Sequence, residues 1–167
     1  IRTPMNAIIG MADLLQETAL APIQKEYVNR FSRAAESLLE LINDILDLSK
    51  IEAGRMEVES IPFDLHDTID RTAESMAVRA HAKHIDLLAF VQPEVPASIT
   101  GDPTRLRQVL VNLVGNAVKF TEQGEIVIRV EPTGDQKTSG ALRFSVSDTG
   151  IGIPRDKIGT IFESFTQ

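Results

Sequence analysis

Asn112, Asn116 and Lys119 are spaced by four and three residues, which places all three on one face if the segment is helical. Amide oxygens suit a hard cation, and a lysine ammonium complements phosphate. Asparagine competes with its own backbone for hydrogen bonds and has poor helix propensity, so two of them amid Val109, Leu110, Leu113 and Val118 point to something other than packing. Further along, Asp148-Thr149-Gly150-Ile151-Gly152-Ile153 follows Ser145-Val146-Ser147, which reads as the end of a strand. Glycines there let backbone approach a ligand closely. Asp148, at the mouth of the sheet, is placed to accept a hydrogen bond from the exocyclic amine of adenine, which guanine does not present in the same position. Together the two segments read as a site for a magnesium nucleotide.

The elements that must position these residues follow from periodicity. Gly101-Asp102-Pro103 supplies a capping Asp with Pro at the first helical position, opening a helix through Phe120 that carries the asparagines. Glu125 to Val130 and Leu142 to Val146 read as strands, joined by a polar loop from Pro132 to Gly140. Ile85 to Val91 reads as a buried strand, Leu65 to Ala82 as a helix entered through Pro62-Phe63-Asp64, and Met56 to Ile61 alternates like a strand.

Before these lie two amphipathic helices. From Pro4 to Glu17, Met5, Ile8, Ala12 and Leu15 form a stripe widened by Ile9. After a break at Ala19 to Pro22 the pattern repeats at Val28, Phe31, Ala35, Leu38, Ile42 and Ile45, in a helix expected to run to about Met56. A hairpin with so wide a stripe packs on its own globular domain or pairs with a second hairpin into a dimeric four-helix bundle. Glu36, Glu40, Asp44 and Asp47 read as its solvated outer face.

Composition sets the outer bounds. The 167 residues allow one domain with an appendage or two small ones, and the hydrophobic fraction of 43% with 25% charged residues is that of a soluble globular chain. No apolar run approaches the roughly 20 residues that span a bilayer, so direct membrane contact by this segment is not expected. A net charge of −7 argues against nucleic acid as a partner. The absence of cysteine excludes disulfides and thiolate metal sites. The chain begins without methionine, inside what reads as a helix, which marks it as a segment of something longer.

These residues resemble a sensor histidine kinase of the two-component systems, of simple or hybrid type, over nearly the whole chain. Ile1-Arg2-Thr3-Pro4-Met5-Asn6 looks like the tail of the family's histidine box, whose phosphoacceptor His and neighbouring Glu stand just before the equivalent of Ile1. Asp102 to Thr121 resembles the asparagine box, Asp148 to Ile153 the first glycine box, and Phe162-Glu163-Ser164-Phe165 the phenylalanine box, in the family's order. The resemblance implies an α+β chain in two parts. Residues 1–56 would form the antiparallel hairpin of a dimeric four-helix bundle, and residues 57–167 an α/β sandwich that binds ATP, of the type shared with several ATPases.

By the same resemblance Asn116 ligates Mg2+ with Asn112 assisting, Lys119 meets phosphate oxygens, and Phe120 belongs to the nucleotide site. Asp148 meets the adenine amine, Gly150 and Gly152 give the close backbone approach, and Phe162 and Phe165 anchor a mobile lid or serve as ordinary core. Thr3 matches a position that helps orient water for dephosphorylating the regulator, with a plain helical role as its competitor. The implied partners are a second copy of the chain and a response-regulator receiver domain. The implied setting is the cytoplasm, with the full-length protein anchored to the inner membrane. Related ATPases carry glutamate where this chain has Asn112. An amide is no general base at neutral pH, so the site suits holding ATP for a delivered histidine better than hydrolysing it. His66, His81 and His84 lie in or beside the helix Leu65 to Ala82, away from the acceptor position, and read as surface or boundary residues.

Overall fold

The structure, a computed structural model, describes residues 2–133 and 140–160. Backbone contacts divide the chain into two compact units, Ile1–Glu57 and Val58–Gln167.

The first unit is a helical hairpin of α1 (Arg2–Gln16) and α2 (Pro22–Glu52). Pro22 opens α2 at the first helical position, and the Gln24 side chain accepts the Ala21 N–H at 2.9 Å, satisfying a donor the helix leaves free. The helix stops at Glu52, four residues before the expected Met56. Gly54 is the reason: it takes φ +64, its N–H donates to the Ile51 carbonyl at 3.0 Å, and the Arg55 N–H donates to the Lys50 carbonyl at 2.8 Å. This pair of bonds with a left-handed glycine is a Schellman stop. Met5 and Ala12 of α1 and Ser32 and Ala35 of α2 are buried between the helices. Phe31, Leu38, Ile45 and Leu46 remain exposed on α2. Asp47 is half-buried and engaged, in contrast to its expected place on a solvated face.

The second unit begins irregularly. Residues 56–60 form no strand, and the strand β1 (Ile61–Asp64) falls where a helix entry was expected. Its partner is β3 (Ser98–Gly101), antiparallel with Phe63 opposite Ile99. Asp64 nevertheless also starts a helix, because its carboxylate accepts the Asp67 N–H at 2.9 Å and caps α3 (Leu65–His81). Asp102 plays the same part for α4 (Pro103–Phe120), accepting the Arg105 N–H at 2.9 Å. Its second oxygen accepts the Glu59 N–H at 3.1 Å and so ties down the segment before β1.

The main sheet has the order β2-β4-β5, from β2 (Ile85–Val91), β4 (Gly124–Pro132) and β5 (Leu142–Asp148). β2 and β4 are parallel, joined through β3 and α4, and β5 returns antiparallel with Asp148 opposite Ile126. Ile126, Ile128 and Val130 alternate onto one face and are fully buried against Leu65, Ile69 and Met76 of α3 and Leu110, Val114 and Val118 of α4. The unit is therefore helices over one face of a sheet. β2 is an edge strand and less buried than its apolar sequence predicts: Leu88 and Phe90 stand exposed on the other face, where the Arg129 guanidinium lies over the Phe90 ring at 5.2 Å.

Candidate functional site

The apolar residues of α4 fix which of its faces is free. Leu110, Val114, Ala117 and Val118 are buried, which turns Asn112, Asn116, Lys119 and Phe120 outward, and all four are exposed. The Asn112 and Asn116 side chains make no hydrogen bond to the described residues, so their amide oxygens are available to a ligand. From Asn112 to Phe120 this face runs about 12 Å along the helix. The Lys119 ammonium lies 5.0 Å from the centre of the Phe120 ring, a cation–π contact that holds it at the end of this face.

The glycine-rich segment docks on that end. The Ile151 N–H donates to the Phe120 carbonyl at 3.3 Å, and the Gly150 N–H donates to the Asp148 carboxylate at 2.9 Å. Gly150 admits no side chain: a Cβ there would lie 2.6 Å from the Phe120 carbonyl oxygen, 2.8 Å from Asp148 Oδ1 and 2.9 Å from Thr121 Oγ1. Gly152 has open space around it but takes φ +71, the left-handed region that glycine tolerates best. Lys119, Phe120, Asp148 and Gly150 thus belong to one locality, with Asn116 and Asn112 leading away from it along α4. Thr3 is exposed in the first turn of α1, in the other unit. Phe162 and Phe165 lie outside the described residues.

Several contacts around the site carry no sequence signal. Thr121 is fully buried, with its hydroxyl oxygen beneath Gly150 and no hydrogen-bond partner among the described residues. Thr149 stitches the segment to β4, its hydroxyl accepting the Glu125 N–H at 3.1 Å and its own N–H reaching the Glu125 carbonyl at 3.2 Å. The Lys83 ammonium donates to the Val118 carbonyl at 2.7 Å and the Lys119 carbonyl at 3.2 Å. An open cleft of about 700 Å³ lined by His84, Asp86, Gln123, Gly124, Glu125 and Thr149 adjoins the segment but takes in none of the predicted site residues. The predicted site is an open helix face, separate in its lining from the cleft. His66, His81 and His84 are exposed, and no cluster of three metal-ligating side chains occurs among the described residues.

Two family matches divide the chain in the same order as its two units. Residues 1–54 match the His Kinase A (phospho-acceptor) domain, and residues 101–167 match the histidine kinase-, DNA gyrase B-, and HSP90-like ATPase family. The chain carries the core of a sensor histidine kinase. The sensor histidine kinase GacS of Pseudomonas protegens is 46% identical over all 167 residues, which make up 18% of its length. The crystal structure of full-length ShkA in complex with AMPPNP superposes with a TM-score of 0.80 at 40% identity, covering 99% of this chain and 35% of that one. The histidine kinase ThkA, solved in complex with the response regulator protein TrrA, gives a TM-score of 0.64 at 26% identity over 99% of this chain and 47% of that one. The chain spans about a fifth of the length of the GacS and BarA kinases it matches and a tenth or less of its Dictyostelium discoideum relatives. This sensor histidine kinase core contains no helix, among the described residues, long and apolar enough to cross a membrane.

Proposed function

We propose that the chain is the catalytic core of a protein histidine kinase. It binds Mg-ATP on the exposed face of α4 and the docked glycine-rich segment, and directs the γ-phosphoryl to a histidine of its dimerisation helices for relay to a response-regulator aspartate. The observation that carries this reading is the docking of Gly150 and Ile151 on the Phe120 carbonyl. It joins a glycine-rich backbone to the end of a helix face whose asparagines have unengaged oxygens. ShkA with AMPPNP and ThkA with TrrA supply the analogy for nucleotide and regulator.

The donor set fits magnesium. Asn116 would hold the ion through its amide oxygen, with Asn112 assisting directly or through water, as oxygen-only ligation requires. Bound there, the ion would neutralise charge on the phosphate oxygens. Lys119 adds a point charge for the same oxygens. Asp148 offers its carboxylate to the adenine amine while one of its oxygens holds the Gly150 N–H. Asn112 takes up no proton at neutral pH, so nothing at that position activates water. The transfer forms a bond from the acceptor imidazole nitrogen to the γ-phosphorus and breaks the bond to the β,γ-bridging oxygen, releasing ADP. Apolar residues exposed on both helices of the hairpin support a homodimer, and we place the core in the cytoplasm of an anchored protein.

The test incubates the full-length protein with magnesium and γ-labelled ATP beside its Asn116→Ala variant. Acid-labile, alkali-stable label that the variant loses supports the reading. Steady phosphate release without label would replace it with a hydrolase.

A further inference from the structure

A helix leaves its last four carbonyls without intrahelical donors, and those of α4 lie where the candidate site sits. The Ala117 carbonyl accepts the Thr121 N–H at 2.9 Å, and the Phe120 carbonyl accepts the Ile151 N–H at 3.3 Å. The two between them, of Val118 and Lys119, are taken by one group, the Lys83 ammonium, at 2.7 and 3.2 Å. Its third donor direction reaches the Thr121 carbonyl at 3.4 Å. Lys83 comes from the short turn between α3 and β2, 35 residues or more away in sequence. Its positive charge also stands at the negative end of the α4 dipole.

We infer that Lys83 is a positioning residue for the nucleotide site, holding the last turn of α4 in the conformation on which the glycine-rich segment docks. The inference rests on the reading of that locality as a nucleotide site. The residues fixed by the ammonium are consecutive with the ones that act: Lys119 and Phe120 bear the phosphate-facing charge and the docking carbonyl, and Thr121 lies buried beneath Gly150. Gly150 has no slack against Phe120 and Thr121, so a turn that frays or rotates displaces the segment bearing Asp148. A neutral side chain at position 83 leaves the Val118 and Lys119 carbonyls to water or to a shorter helix, and the Phe120 carbonyl moves with them.

The test compares Lys83→Met, Lys83→Arg and Asp64→Ala in the full-length protein. Asp64→Ala removes the cap of α3 and serves as a general destabilisation. Hydrogen exchange read by mass spectrometry on the peptide containing Gly150 and Ile151 is paired with the affinity for Mg-ATP. Lys83→Met is expected to speed exchange there by about tenfold or more and to weaken ATP by about fivefold, with Lys83→Arg restoring most of both. Exchange at Ile151 unchanged in Lys83→Met, or raised no more than in Asp64→Ala at equal loss of melting temperature, overturns the inference. If the unmodified full-length protein fails to bind Mg-ATP, the nucleotide reading fails, while the exchange comparison still decides whether Lys83 holds the segment.

Discussion

At Gly150 one methyl group decides whether the glycine-rich segment can rest on α4. The atom nearest to an added Cβ is the Phe120 backbone oxygen, which cannot yield without moving the last helical turn. Gly150→Ala is therefore expected to destabilise the second unit by about 1–3 kcal/mol in urea melts, as overpacking does, and to weaken ATP binding in the same protein. Asn116→Ala should separate the two effects. The side chain is exposed and bonded to nothing described, so its loss should change stability by no more than about 0.5 kcal/mol. Calorimetry should then show that magnesium no longer improves ATP affinity in the variant, while the affinity in EDTA stays at the unmodified value. A variant that kept the full magnesium effect would remove Asn116 from the metal site.

On the element scale α4 carries most of the candidate site, and its beginning is as defined as its end. Asp102 caps it and also takes the Glu59 N–H, and the Arg105 N–H, first among these contacts, holds the carboxyl below its ordinary value. A carboxyl so depressed stabilises the fold above the unfolded-state value near pH ~4, and the contribution disappears as pH falls through the lower folded value. Asp102→Ala should therefore lower the melting temperature at pH 7, and its gap to the unmodified chain should close as the pH is taken well below about 4. A gap constant with pH would mean that the charge is not what caps the helix. This start was legible from Gly101-Asp102-Pro103, as were the limits of β2 and the helix span to Phe120, because each combines an end signal with a sustained pattern. β1 and β3 were not, since strands of four residues are too short to show alternation and exist through pairing with each other. The Asn112, Asn116 and Lys119 face was legible from spacing alone. Lys83 was not, because nothing local to it reports a contact with Val118.

On the scale of the whole molecule, more than half of the exposed large apolar side chains among the described residues lie on the hairpin. Burial between α1 and α2 uses Ser32 and Ala35, whereas Tyr27, Phe31, Leu38, Leu41 and Ile45 form a second stripe on α2 and are each about half exposed or more. Their steps of four, seven, three and four hold the seven-residue period of a helix that faces a further helix. Met11, Leu14 and Leu15 extend the exposed apolar area onto α1. A twofold dimer would cover this surface with a copy of itself, so each side chain counts twice. Burying the remaining half of Leu38 and of Ile45 contributes about 1 kcal/mol per side chain, hence about 4 kcal/mol for the two positions in both copies. Leu38→Glu with Ile45→Glu should accordingly raise the dimer dissociation constant by about a thousandfold or more, read by sedimentation equilibrium. The helical signal in circular dichroism should persist in the monomer at low temperature, because neither residue is in the buried contact between α1 and α2. A double variant that sedimented as the same dimer would place the interface elsewhere and leave the stripe on α2 for another partner.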